Sequence, residues 1–143
     1  MNGVEYALPP LPYAYNALEP SIDEETMRLH HDIHFAGYMK GLNSALKTLD
    51  QARAQGNFPE ISYWENQLAF NGAGYVLHTV FFQNMGPMWS TTPSENIKNL
   101  MSNSFGSFDA FQKQFSAAAA KVQGSGWAIL GYQPFGKKLI ILQ

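Results

Sequence analysis

The sequence predicts an α+β fold: an N-terminal antiparallel helical hairpin followed by an α/β domain of helices and an antiparallel sheet that is incomplete within this chain. Three observations predict it. Two long stretches, about 23–50 and 62–83, repeat apolar residues at helical spacing. Two short runs of strand composition, 127–132 and Lys138–Leu142, flank the turn-forming Gln133, Pro134, Phe135 and Gly136. Two isolated strands are marginal in water, so this pair calls for a third strand, a partner or cover from the helices.

Taken in order, residues 1–20 carry four prolines together with the anchors Tyr6, Leu11, Tyr13 and Tyr15, which suits an extended arm packed on a larger body. Ser21 or Asp23 can cap the first helix, and Glu24 and Glu25 sit in its first turn, where the helix dipole favours acids. Met27, Leu29, Ile33, Tyr38 and Leu42 then give its apolar spacing. Gly56-Asn-Phe-Pro59 breaks the pattern before the second helix, whose apolar set is Trp64, Leu68, Phe70, Val76, Val80 and Phe81. Gly86 and Pro87 end it. A third helix is expected to start within 90–95, capped by Thr92 or Ser94, and to reach about Asn103. A fourth, about 107–122, contains the small-residue run from Ala117 to Ala120, which fits close helix packing, and Gly124-Ser-Gly126 stops it. The expected division is 1–86 for the arm and hairpin and 87–143 for the α/β part.

Composition removes several function classes. At 143 residues with 45% hydrophobic and 14% charged residues the chain is ordinary globular material. A net charge of −2, with the Lys and Arg scattered, gives no attraction for nucleic acid. The absence of cysteine excludes disulfides, thiolate metal sites and cysteine nucleophiles. No basic then apolar leader opens the chain and no stretch approaches the ~18 apolar residues of a membrane span, so no membrane association and a cytoplasmic location are expected.

The residues that carry chemistry are histidines. His30, His31 and His34 fall within five residues, and His30, His34 and Tyr38 repeat every fourth position, on one face of a helix. His78 lies on the neighbouring helix among Gly72, Gly74 and Phe81, where small residues allow close backbone approach and aromatics exclude water. Neutral imidazole is the commonest protein ligand for transition metals. Spacing alone leaves two readings open, a metal site and a set of packed, hydrogen-bonded histidines. A zinc hydrolase built on His30 and His34 is disfavoured, because His31 and Asp32 follow His30 where such a motif places its glutamate.

Several ordered motifs resemble the iron/manganese superoxide dismutases over the N-terminal two thirds of that family. They are Leu11-Pro-Tyr-Ala-Tyr-Asn-Ala-Leu-Glu-Pro20, Thr26-Met-Arg-Leu-His-His31 with His34 and Tyr38, the run from Asn71 to Phe82, Phe82-Gln-Asn-Met-Gly-Pro87, and Gly124-Ser-Gly-Trp-Ala128. The resemblance implies a helical hairpin, an α/β domain with a three-stranded antiparallel sheet, and a homodimer or homotetramer. It implies one iron or manganese per complete site, with superoxide as substrate. By the same resemblance His30 and His78 match metal ligands, His34 and Tyr38 the pair lining the substrate gateway, and Trp127 and Phe82 walls of the metal pocket. His31 matches a family histidine that is not a ligand.

Departures from the family pattern shape the expectation. The family's aspartate and further histidine ligands lie in a downstream Asp-x-Trp-Glu-His-Ala-Tyr motif, beyond Gln143, so these residues carry two of four ligands. The 143-residue chain by itself is therefore expected to be a poor enzyme; the favoured expectation is that these are the first 143 residues of a longer dismutase, and the others are a short relative whose site a second polypeptide completes and a non-catalytic dismutase-like subunit. Phe35, Tyr75 and Phe82 stand where many members have histidine, histidine and tryptophan, which implies drier surroundings for the ligands. Gly74 stands where iron-type members often have glutamine, a lean towards manganese-type or metal-tolerant members.

Overall fold

Asp23 sets the start of the first helix: its backbone is extended, and its carboxylate accepts the Thr26 N–H at 2.7 Å. This hydrogen bond is the main reason its carboxyl lies below the usual range. Of the two expected caps, Asp23 is thus the one used. The computed structural model describes residues 5–87 and 92–143, which fall into two compact units divided between positions 91 and 92.

In the first unit the helix runs without interruption through three stretches, α1 (Glu24–Arg28), a π-helical segment (Leu29–Phe35) and α2 (Ala36–Gln55). The Ala36 N–H reaches back to the His31 carbonyl, the five-residue bond of a π turn. The helix extends past the expected end near 50 to Gly56, whose positive φ of 61° closes it in the left-handed conformation open to glycine. α3 (Ile61–Gln83) packs against α2 as the second arm of the hairpin.

The contact between these helices is close because each offers a glycine to the other. A Cβ on Gly41 would lie 2.2 Å from Asn71 Oδ1, and a Cβ on Gly74 would lie 2.2 Å from Tyr38 Cδ1. The buried residues of α3 are accordingly Asn71, Gly74, His78 and Phe82, at spacings of three and four. Much of the apolar pattern expected to face the core does not: Phe70, Val76 and Val80 are exposed, as are Leu29 and Ile33 on the π segment. The π turn rotates that segment so that His31 and Phe35 go inside instead.

The N-terminal arm covers this core. Leu8, Leu11, Tyr13, Tyr15, Leu18 and Ile22 pack on the buried cluster of Met27, Phe35 and Phe82. Polar contacts fix its path: Tyr13 Oη donates to the Phe82 carbonyl at 2.9 Å, Tyr75 Oη donates to the Ala7 carbonyl at 2.9 Å, and the Asn43 amide exchanges two bonds with the Tyr6 backbone.

The second unit holds α4 (Glu95–Phe105), α5 (Phe108–Ala120), β1 (Ile129–Gln133) and β2 (Lys138–Leu142). Ser94 caps α4; of the expected start region, 90 and 91 lie outside the described residues. The strands pair antiparallel from Ile129 opposite Leu142 to Gln133 opposite Lys138. β1 therefore begins two residues later than its composition suggested and takes in Gln133, and Pro134 to Lys137 make the turn. Met101, Phe111 and Leu139 form this unit's core. Ala117, Ala119 and Ala120 are exposed, contrary to the packing expected of the small-residue run. Among the described residues no helix is long and apolar enough to cross a membrane.

Candidate metal centre

The two long helices of the first unit bring His30, His34 and His78 together, each with a ligand atom within 4.8 Å of the other two. His30 and His34 both belong to the π segment, and His78 to α3. Their four-residue spacing puts both rings on one face of the helix. Ring centroids lie 5.1 Å apart for His30 and His78, 5.0 Å for His34 and His78, and 5.5 Å for His30 and His34.

His78 is the most constrained of the three. It is 3% exposed, and its Nδ1 donates to the Gly74 carbonyl at 2.7 Å. A carbonyl only accepts, so this bond fixes the proton on Nδ1 and leaves the lone pair on Nε2, the arrangement metal-binding histidines commonly use. Burial lowers its pKa, and positive charge on His34 adds to that, against the opposing effect of the Gly74 bond. Phe35 stacks on the ring at 5.6 Å and 20°. His30 is lowered to about 4, first by burial and then by the charges that His78, His34 and His31 would carry. Both rings are therefore neutral near pH 7, the state in which imidazole ligates a metal.

Aromatic side chains surround the cluster. Tyr38 lies 5.0 Å from both His34 and His78, and Phe82 and Phe81 lie 5.1 and 5.3 Å from His30. Trp127 belongs to the second unit, half-buried just ahead of β1. His31 is built differently from its neighbours. It is 5% exposed, with Nδ1 2.7 Å from Asp32 Oδ1 and Nε2 2.8 Å from the Pro9 carbonyl, so neither nitrogen is free for a metal. Three features lay outside the sequence reading: the π turn, the Pro9 bond to His31, and the Phe35 stack on His78.

The donor set fits a first-row transition metal, since it presents neutral nitrogen donors from two rigid helices in a largely apolar pocket. Residues 5–86 match the family model of the iron/manganese superoxide dismutase alpha-hairpin domain, and residues 93–143 match that family's C-terminal domain. The chain belongs to the iron/manganese superoxide dismutase family. A superoxide dismutase [Mn] of Mycolicibacterium fortuitum is 45% identical to it over 139 residues, 97% of this chain and 67% of the relative. A superoxide dismutase [Mn/Fe] of Propionibacterium freudenreichii subsp. shermanii is 48% identical over 140 residues, covering 96% and 70%. A superoxide dismutase [Fe] of Mycobacterium tuberculosis is 46% identical over 139 residues, covering 97% and 67%. The chain thus spans about two thirds of the length of these superoxide dismutases, and they include iron, manganese and mixed-metal proteins.

Proposed function

We infer that this protein disproportionates superoxide, two radical anions and two protons yielding dioxygen and hydrogen peroxide. The observation that carries this reading is the convergence of His30 and His78, both neutral, with His34 and Tyr38 beside them. Iron or manganese bound there supplies the one-electron redox couple that zinc lacks.

The residues of this chain supply part of the site. His30 and His78 hold the metal; the Gly74 carbonyl keeps His78 in the right tautomer, and Phe35 and Phe82 exclude water from the two rings. His34 is exposed while its ring touches both Tyr38 and His78, so it connects solvent to the buried nitrogens. The His34 ring takes protons from water and delivers them inward, and the Tyr38 hydroxyl continues that path while its ring narrows access. The proposal extends to a cytoplasmic homodimer or homotetramer with the domain division at 86 and 87. The family resemblance supports the assembly, and the two family-model matches support the division.

The test is superoxide decay followed by stopped-flow absorbance after loading the protein with iron or manganese and removing free ions. Decay well above that of the same concentration of free metal is expected wherever the family's downstream aspartate and histidine complete the site. A rate equal to free metal would instead leave the non-catalytic reading.

A further inference from the structure

The contact between Gly41 and Asn71 is the next one along the hairpin from the contact that holds Tyr38. Following the first long helix forward and α3 backward, His34 meets His78, Tyr38 meets Gly74, and Gly41 meets Asn71. The last two contacts are reciprocal: α2 lays the Tyr38 ring on a glycine of α3, and α3 lays the Asn71 amide on a glycine of α2. At 1.5 Å of rise per residue they stand about 4.5 Å apart along each helix, less than one turn.

Asn71 is held firmly in its place. It is 8% exposed, and its Nδ2 donates to the Gln67 carbonyl at 2.9 Å and lies 3.3 Å from Gln67 Oε1. A Cβ on Gly41 would come within 2.9 Å of Oδ1, Cγ and Nδ2 alike, so the amide fills the space of a side chain at position 41. Burying an amide costs more than burying an apolar group of its size. What the amide adds is an orientation fixed by hydrogen bonds, so Asn71 sets how near α2 and α3 come at this level.

We propose that Asn71 is a positioning residue for Tyr38, setting the α2–α3 separation that lays the phenol ring on Gly74 and 5.0 Å from His78. This rests on the reading of Tyr38 as the proton-relaying neighbour of the metal ligands and adds the residue that places it. A helix is stiff over less than a turn, so a change of separation at Gly41 and Asn71 carries to Tyr38.

The experiment reads Tyr38 directly in the metal-free protein, by ¹H–¹³C NMR of ring-labelled tyrosine, with the Tyr38 signal identified by its loss in Tyr38→Phe. The neighbouring rings of His34, Phe70 and His78 make that signal sensitive to small displacements. Asn71→Ala opens a gap and Gly41→Ala drives a methyl group into the amide, and each is expected to move the signal by more than its linewidth. Combining the two puts the new methyl group where the amide stood, and should return the signal to the parent position even where a single variant fails to fold. Leu49→Ala, at a site 2% exposed further along α2, is the control for lost stability alone and should leave the Tyr38 signal in place. A signal unmoved in folded Asn71→Ala, moved as far by Leu49→Ala, or not returned in the double variant would overturn the positioning role. The measurement needs no metal, so a loaded protein that fails to turn over superoxide would count against the dismutation reading and leave this result standing.

Discussion

The ring of Tyr38 fills the space that a side chain at position 74 would need: a Cβ there would stand 2.2 Å from Cδ1 and 2.5 Å from Cγ. Because Cγ anchors the ring to the main chain, Tyr38 cannot yield by a movement of its tip alone. Gly74→Ala is therefore expected to destabilise the fold by about 1–3 kcal/mol through overpacking, despite alanine's better helix propensity. It should also push Tyr38 away from His78. Urea unfolding with the tyrosine fluorescence of the folded state checks both, and an unchanged midpoint would refute the close packing.

His31 ties the arm to the π segment that carries His30 and His34. Its two nitrogens face the Pro9 carbonyl and the Asp32 carboxylate, and Asp32 in turn accepts from Tyr15 Oη at 2.8 Å. The bond from His31 is the leading reason the Asp32 carboxyl lies below its ordinary range. His31→Ala leaves the Pro9 carbonyl without its donor and a gap beside Phe82, whose ring is 5.3 Å away. A loss of about 1–3 kcal/mol is expected, along with faster proteolytic cleavage in the arm ahead of Asp23. Cleavage at the parent rate would show that the aromatic anchors alone hold the arm.

Much of this arrangement was legible in the sequence because helical spacing and capping are local. The Asp23 cap, the hairpin and the strand pair follow from neighbours along the chain, and so does the pairing of His30 with His34. Which face goes inside is not local. Leu29, Ile33, Phe70, Val76 and Val80 read as core but are exposed, since the π turn rotates one helix and the glycine contacts draw the other in along Asn71, Gly74 and His78. The His31 bond to Pro9 spans 22 residues, and periodicity carries no trace of it.

Acid should destabilise the metal-free protein before its carboxylates titrate. An imidazole in the unfolded chain has a pKa of about 6.5, whereas burial and its histidine neighbours hold His30 at about 4. Between these values the unfolded chain binds the proton that folded His30 refuses, and His78 is shifted in the same direction. The contribution is complete above about pH 6.5 and is lost as the pH falls towards about 4. Urea midpoints at several pH values in this range should fall with acidity, and His30→Gln should flatten the dependence. A parent midpoint constant across the window would contradict the buried, neutral ring.

His78 and Tyr38 touch, at 5.0 Å between centroids, yet their substitutions should separate cleanly. His78→Ala removes the nitrogen whose tautomer the Gly74 carbonyl fixes, and no other group of α3 in the cluster offers a ligand atom. Metal content per chain after dialysis should drop to background in that variant. Tyr38→Phe keeps the ring that packs on Gly74 and loses only the hydroxyl, so metal should stay bound while turnover or product inhibition changes. Elemental analysis of both variants beside superoxide decay kinetics makes the comparison, and equal metal loss in the two would contradict the division between a ligand and a proton-relaying neighbour.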